Sequence, residues 1–333
     1  MSQQWSKEEL LEMSGAFLLP RILISAAELD LFSKLEGHSR TVDELCESEG
    51  WDSRGLKILM DALVANGLLS LVSDGRYGIP PSLVGMLSKA GPDAVLPMIL
   101  HRGRLWQSWS NLTEIVQTGY NPNPIGIAAR TEEDMESFIG AMEVVGRIVA
   151  DRIAESVDLT AFTSLLDVGG GPGTYCIAIL KRAPHMRATI FDLPQVVTMA
   201  RKRLAEVGLL DRVKITPGDY TVDELPPGHD VVLLSAVIHS NSREMNRQLY
   251  EKVFRALGPG GTVLIRDFVL DKTRTFPPDG AIFAVNMLVA TRAGNCYTFE
   301  EICEDLESAG FGDVRMILEG KKMDQLVAAT RPA

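Results

Sequence analysis

The chain has 333 residues, enough for one or two domains with a sizeable core, and its 46% hydrophobic and 23% charged residues are those of a globular protein. A formal net charge of −11 argues against nucleic acid as the main ligand, because a phosphate backbone rewards clustered Lys and Arg. The first dozen residues lack a basic-then-apolar signal pattern and no uninterrupted apolar run of bilayer length stands out, so the expectation is a cytoplasmic protein with no membrane partner.

Residues 1–110 read as mostly helical. Leu10, Leu11, Met13, Phe17, Leu18, Ile22 and Leu23 recur at spacings that give an apolar face. Thr41-Val42-Asp43-Glu44 has the form of a capping box, and a second helix starts near Asp52 or Ser53, carries Leu56, Leu59 and Leu63 on one side and stops at Asn66-Gly67. Two short strands, 68–72 and 76–79, then form a hairpin across Ser73-Asp74-Gly75. Helix, helix and hairpin make a winged helix. Its second helix carries Arg54 and Lys57 but also Asp61 and is otherwise apolar, which suits packing on protein better than contact with DNA.

Residues 111–333 form the second predicted domain. The aromatic segment with Trp106 and Trp109 leads to a loop at Pro122-Asn123-Pro124 between Gly119 and Gly126, and a linking helix runs over 132–157. Strands at 164–167, 188–191, 213–216, 230–235 and 262–266 alternate with helices such as 195–207 and 243–257, the pattern of a mostly parallel α/β sheet covered on both faces. After a helix at 299–309, two strands, 314–318 and 326–330, joined by a short polar turn, add an antiparallel edge. Cys46, Cys176, Cys296 and Cys303 form no Cys-x-x-Cys pair and the five histidines no His-x-x-x-His pair, so buried free thiols and no metal are expected.

The stretch Asp167-Val168-Gly169-Gly170-Gly171-Pro172-Gly173 ends an apolar strand with an acid and four glycines, which lets a ligand reach the backbone and the free amides of the next helix. A second acid, Asp192, ends the next strand 21 residues past Gly171 (192 − 171), where a doubly wound fold places a carboxylate for ribose hydroxyls. An NAD enzyme shares this feature. Here, however, the Gly-x-Gly-x-x-Gly order is missing, and Asp167 beside the turn would repel a pyrophosphate and suit a cation. S-adenosylmethionine, whose amino-acid end carries an ammonium group, is the expected cofactor.

Together with Phe191-Asp192-Leu193-Pro194, Gly218-Asp219, Gly258-Pro259-Gly260-Gly261 and Ala309-Gly310-Phe311, the glycine motif resembles the S-adenosylmethionine-dependent O-methyltransferases of the caffeic acid and acetylserotonin type. The resemblance covers almost the whole chain. It implies a Rossmann-like class I methyltransferase sheet with an antiparallel last strand, preceded by a winged-helix dimerisation domain, and hence a homodimer. It further implies that Gly169 and Gly171 approach the methionine part of the cofactor, that Asp192 binds the ribose hydroxyls, that Asp219 and Tyr220 flank the adenine, and that Leu193 and Ser235 also bind the cofactor. His239, at the end of the apolar run 231–238, is the candidate base that takes a phenolic proton, and Asp267 the acid that orients it.

The sequence also departs from that family. Relatives read His-Asp-Trp where this chain has His239-Ser240-Asn241, and the second supporting acid falls at or near Cys296. By the same resemblance Trp106, Met142, Asn286, Met287 and Thr291 line a pocket for an aromatic small molecule. The altered motif leaves methylation of carbon or nitrogen open as an alternative. A ligand-responsive regulator using the winged helix and an NAD-dependent oxidoreductase are the readings from other classes.

Overall fold

The computed structural model describes residues 4–88, 91, 93–121 and 132–333, so the loop expected at Pro122-Asn123-Pro124 lies outside the described residues. The chain divides into two units, Met1–Gln107 and Ser108–Ala333.

The first unit contains α1 (Lys7–Gly15), α2 (Leu18–Glu28), α3 (Leu31–Leu35), α4 (Val42–Glu49), α5 (Ser53–Ala65), β1 (Ser70–Leu71), β2 (Tyr77–Gly78), α6 (Val84–Leu87) and most of α7 (Leu96–Ser110). Thr41 caps α4 in a full capping box with Glu44, as the sequence indicates, and Asp52 caps α5 through the Gly55 amide. Its core gathers Leu31, Phe32, Leu45, Met60 and Leu63. On α5 Lys57 pairs with Asp61, which also accepts from the Tyr77 hydroxyl, while Arg54 is exposed. By contrast Trp5, Leu10, Leu11, Met13, Phe17 and Leu18 are exposed. The stretch Lys7–Glu28 is long and apolar enough on average to cross a membrane, by length and composition alone. The expectation sought an unbroken run, and this one contains Arg21, ion-paired with Glu28, and is divided between α1 and α2.

The second unit starts with α8 (Leu112–Thr118) and α9 (Glu132–Glu155). It continues through β3 (Ser164–Val168), α10 (Thr174–Arg182), β4 (Arg187–Asp192), α11 (Pro194–Glu206), β5 (Val213–Pro217), β6 (His229–Ser235), α12 (Arg243–Ala256) and β7 (Leu257–Asp267). After β8 (Val269–Leu270), α13 (Pro278–Ala290), β9 (Tyr297–Thr298) and α14 (Phe299–Ser308), the chain closes with β10 (Gly312–Leu318) and β11 (Gln325–Thr330). Seven strands form one sheet in the order β10-β11-β7-β6-β3-β4-β5, in which β11 alone runs against the other six. Alternation sorts the side chains to the two faces. Leu165, Ile190, Leu233 and Leu264 face α9, α10 and α11, while Leu166, Val168, Val232 and Ile265 face α12 and α14. Burial on both faces explains why these strands read as continuous apolar runs. Cys176 and Cys296 are buried thiols as expected, whereas Cys46 and Cys303 are half-buried.

Candidate active site

The carboxyl ends of β3, β4, β6 and β7 converge where ligands of open parallel sheets collect. The glycine turn sits after β3. Gly169, Gly171 and Gly173 adopt φ of 66°, 56° and 79°, the left-handed region in which a Cβ is strained. A Cβ on Gly171 would meet nothing within 4 Å, so the backbone at this residue faces open space. Asp192 ties the turn to β4: its Oδ2 accepts from the Gly171 amide and its Oδ1 from the Leu193 amide, both at 2.7 Å. Burial pushes the Asp192 carboxyl up, and those two amides pull it back. Each oxygen keeps acceptor capacity for a hydroxyl donor.

Asp167 is differently placed. It points to the α10 face beneath Gly170, is 1% exposed, and neither of its oxygens has a hydrogen-bond partner of normal geometry. Burial and the nearby Asp192 charge raise its pKa to about 7, although the Cys176 amide draws it down somewhat. An orphaned buried carboxylate below a ligand-accessible glycine turn fits a cofactor that presents a cation there.

Across the sheet, β6 ends at Ser235, and Ala236 turns the chain with a φ of 58°. A single 3₁₀ turn, Ile238–Ser240, then carries His239. The His239 Nδ1 lies 2.8 and 2.9 Å from the two carboxylate oxygens of Asp267, at the end of β7, and the Phe268 amide donates to the same carboxylate at 2.8 Å. Held this way, Nδ1 carries the proton and Nε2 is the nitrogen available to a substrate. Phe283 of α13 stands edge-on to the imidazole with ring centroids 4.9 Å apart. The loop after α13 closes on the same turn, because the Asn295 amide donates to the His239 carbonyl and a Cβ on Gly294 would collide with that carbonyl.

The sequence-derived residues do not all converge. His239, Asp267 and Asn286 belong to this end of the sheet, and Asn286 accepts a hydrogen bond from Trp109 Nε1 at 3.0 Å. Met142 is half-buried on α9, whereas Met287 is buried. Thr291 spends its hydroxyl on the end of α13, donating to the Met287 carbonyl and accepting from the Gly294 amide. Trp106 lies in the first unit, against Phe17 and under Arg21. Asp219 holds a turn, its Oδ1 accepting from the amide and hydroxyl of Thr221. Burial lifts Tyr220 to about 12, so it stays a phenol, and its hydroxyl donates to Asn241 Oδ1. Cys296 is buried beside Asp267, and burial together with that carboxylate raises its thiol to about 12. A neutral thiol cannot replace the missing acid.

Three residues at this end of the sheet escaped sequence reading: Phe283 against the imidazole, Asn241 and Arg266. Asn241 is 2% exposed and joins Tyr220 and Asn246, while its carbonyl accepts from the Tyr297 hydroxyl. Arg266 is 3% exposed on β7. The signal for Arg266 was its charge within an otherwise apolar, doubly covered strand. Among the described residues no cluster of His, Cys, Asp and Glu could hold a metal.

Comparison with known proteins gives this geometry its setting. The model of the O-methyltransferase domain matches residues 109–312, and that of the O-methyltransferase dimerisation domain matches residues 11–80. The tetracenomycin polyketide synthesis 8-O-methyl transferase of Streptomyces glaucescens is 33% identical, over 92% of this chain and 92% of its own. Acetylserotonin O-methyltransferase of Gallus gallus is 29% identical over 96% of both. Among solved structures, N,N-8-amino-8-demethyl-D-riboflavin dimethyltransferase from Streptomyces davawensis superposes with a TM-score of 0.82 at 25% identity, over 99% of this chain and 100% of its own. The chain belongs to the O-methyltransferase family, enzymes that take their methyl group from S-adenosylmethionine.

Proposed function

We propose that this enzyme methylates a hydroxyl of an aromatic small molecule, with His239 as general base and Asp267 as its positioning partner. The observation that carries the reading is the buried His239–Asp267 pair, which leaves Nε2 as the free nitrogen. Bound S-adenosylmethionine supplies a sulfonium methyl to an attacking oxygen and departs as a neutral thioether. A phenol with a pKa of about 10 is mostly protonated at neutral pH. His239 accepts that proton at Nε2 as the oxygen–carbon bond forms, and the Asp267 carboxylate stabilises the imidazolium. Proton removal of this kind contributes roughly 10² to 10⁴ in rate.

Gly169, Gly171, Asp192, Leu193, Tyr220 and Ser235 hold the cofactor in this reading, and Asp167 faces its ammonium group. Trp109, Phe283, Asn286 and Met142 shape the acceptor side. The aromatic acceptor is supported by the relatives, whose names specify a polyketide and acetylserotonin. The exposed apolar residues of α1 and α2 and the dimerisation-domain match support a homodimer.

The test is methyl transfer from isotopically labelled S-adenosylmethionine into a pool of phenols and aromatic amines, with products separated by mass. Labelled methyl ethers support the reading; label only on nitrogen would replace it. The second outcome has a foothold in the dimethyltransferase neighbour, whose name specifies an amine.

A further inference from the structure

Arg266 neighbours Asp267 on β7, but alternation sends its side chain to the opposite face, under α10. Its guanidinium carbon lies 5.0 Å from the centroid of the Tyr175 ring, and Nη1 reaches Ser235 Oγ only at 3.4 Å. Nε and Nη2 have no hydrogen-bond partner, although the residue is 3% exposed. These two atoms form the side-on edge of the guanidinium, the fork that grips a carboxylate through two parallel hydrogen bonds. The carboxylates around it are already engaged: Asp267 by His239 and the Phe268 amide, and Asp324 by Arg152 and the Lys322 amide.

A buried cation with an empty bidentate edge is costly unless a ligand completes it. Asp167 is its counterpart, a buried anion with neither oxygen partnered. Arg266 stands against Tyr175 in the first turn of α10, and the Asp167 carboxylate lies under Gly170 in the turn that leads into the same helix. Yet no ion pair between them occurs among the described residues. Two unmatched buried charges of opposite sign around one helix turn fit a ligand that carries both. We propose that Arg266 binds the carboxylate of the amino-acid end of S-adenosylmethionine, with Asp167 as counter-charge for its ammonium. Ser235 and the Tyr175 ring hold the guanidinium in place. The inference rests on the cofactor reading above and assigns one end of that cofactor to a residue of this chain.

Calorimetric binding tests it with two probes, S-adenosylhomocysteine and its analogue lacking only the carboxylate. The wild-type protein should bind the first about 10- to 100-fold more tightly than the second, the scale of a hydrogen-bonded charge pair. Arg266→Met should remove that preference by weakening only S-adenosylhomocysteine, and Arg266→Lys should restore part of it. Equal loss for both probes in Arg266→Met would make Arg266 a structural residue and overturn the proposal. Equal affinity of the wild type for both probes would overturn it too, even if Arg266→Met fails to fold. A wild type that binds neither probe would instead sink the cofactor reading, and the inference with it.

Discussion

The two sides of the site treat buried charge in opposite ways. Around His239 the buried groups that fix its position are matched: Nδ1 meets Asp267, Asp267 also takes an amide, and the neighbouring Asn241 bonds to Asn246 and Tyr220. On the cofactor side Asp167 and the outer edge of Arg266 are unmatched. A satisfied network fixes geometry before substrate arrives, whereas an unsatisfied one stores free energy that a complementary ligand releases. In the proposed reading the protein preorganises the base, and the cofactor completes the protein.

Removing the acid from the matched side should give the largest effect. Asp267→Ala frees the imidazole to change tautomer and should lower kcat roughly 10²-fold while leaving S-adenosylhomocysteine affinity within about twofold, as steady-state kinetics and calorimetry would report. A parallel fall in affinity would mean that Asp267 serves the whole site. Gly294→Ala pushes a methyl into the His239 carbonyl and should cost about 1–3 kcal/mol in denaturant unfolding, with kcat falling too. Asn241→Ala leaves the Tyr220 hydroxyl and the Asn246 Oδ1 without a partner and should cost about 1–3 kcal/mol. That change should weaken cofactor binding more than kcat.

The unmatched side should respond with the opposite sign. Asp167 has its pKa raised from its ordinary value to about 7 on folding, so it contributes most to stability below pH 4 and loses that contribution as pH rises through 7. Asp167→Asn should therefore melt a few degrees above the wild type at pH 8 without cofactor, and the gain should vanish near pH 4. Saturating S-adenosylhomocysteine should favour the wild type again. A variant that is less stable at pH 8 would show Asp167 to be satisfied in the folded chain.

The sequence and the structure agree best where periodicity and punctuation are strong. Each of the strands 188–191, 213–216 and 230–235 lies within an observed strand to within a residue or two, because doubly buried strands stand out as apolar runs between turns. The helix of residues 278–290, which supplies Phe283 and Asn286, has no counterpart among the elements expected from the sequence, since its all-round apolar face has no helical period. The site was legible where chemistry and motif coincide, at Asp167, Asp192 and His239. It was illegible where a role depends on an empty hydrogen-bonding edge, as at Arg266, or on a long-range partner, as at Asn241. Thr291 shows the converse: its side chain is spent on a helix end, which no spacing reveals.

The most direct measurement compares kcat for methyl transfer by the wild type and His239→Ala across pH, with S-adenosylhomocysteine affinity measured on the same samples. The account predicts a loss of at least about 10² at neutral pH, partly recovered at high pH where the phenol ionises unaided, and unchanged affinity. Equal rates at neutral pH would contradict His239 as the base and would point to an acceptor that needs no proton removed.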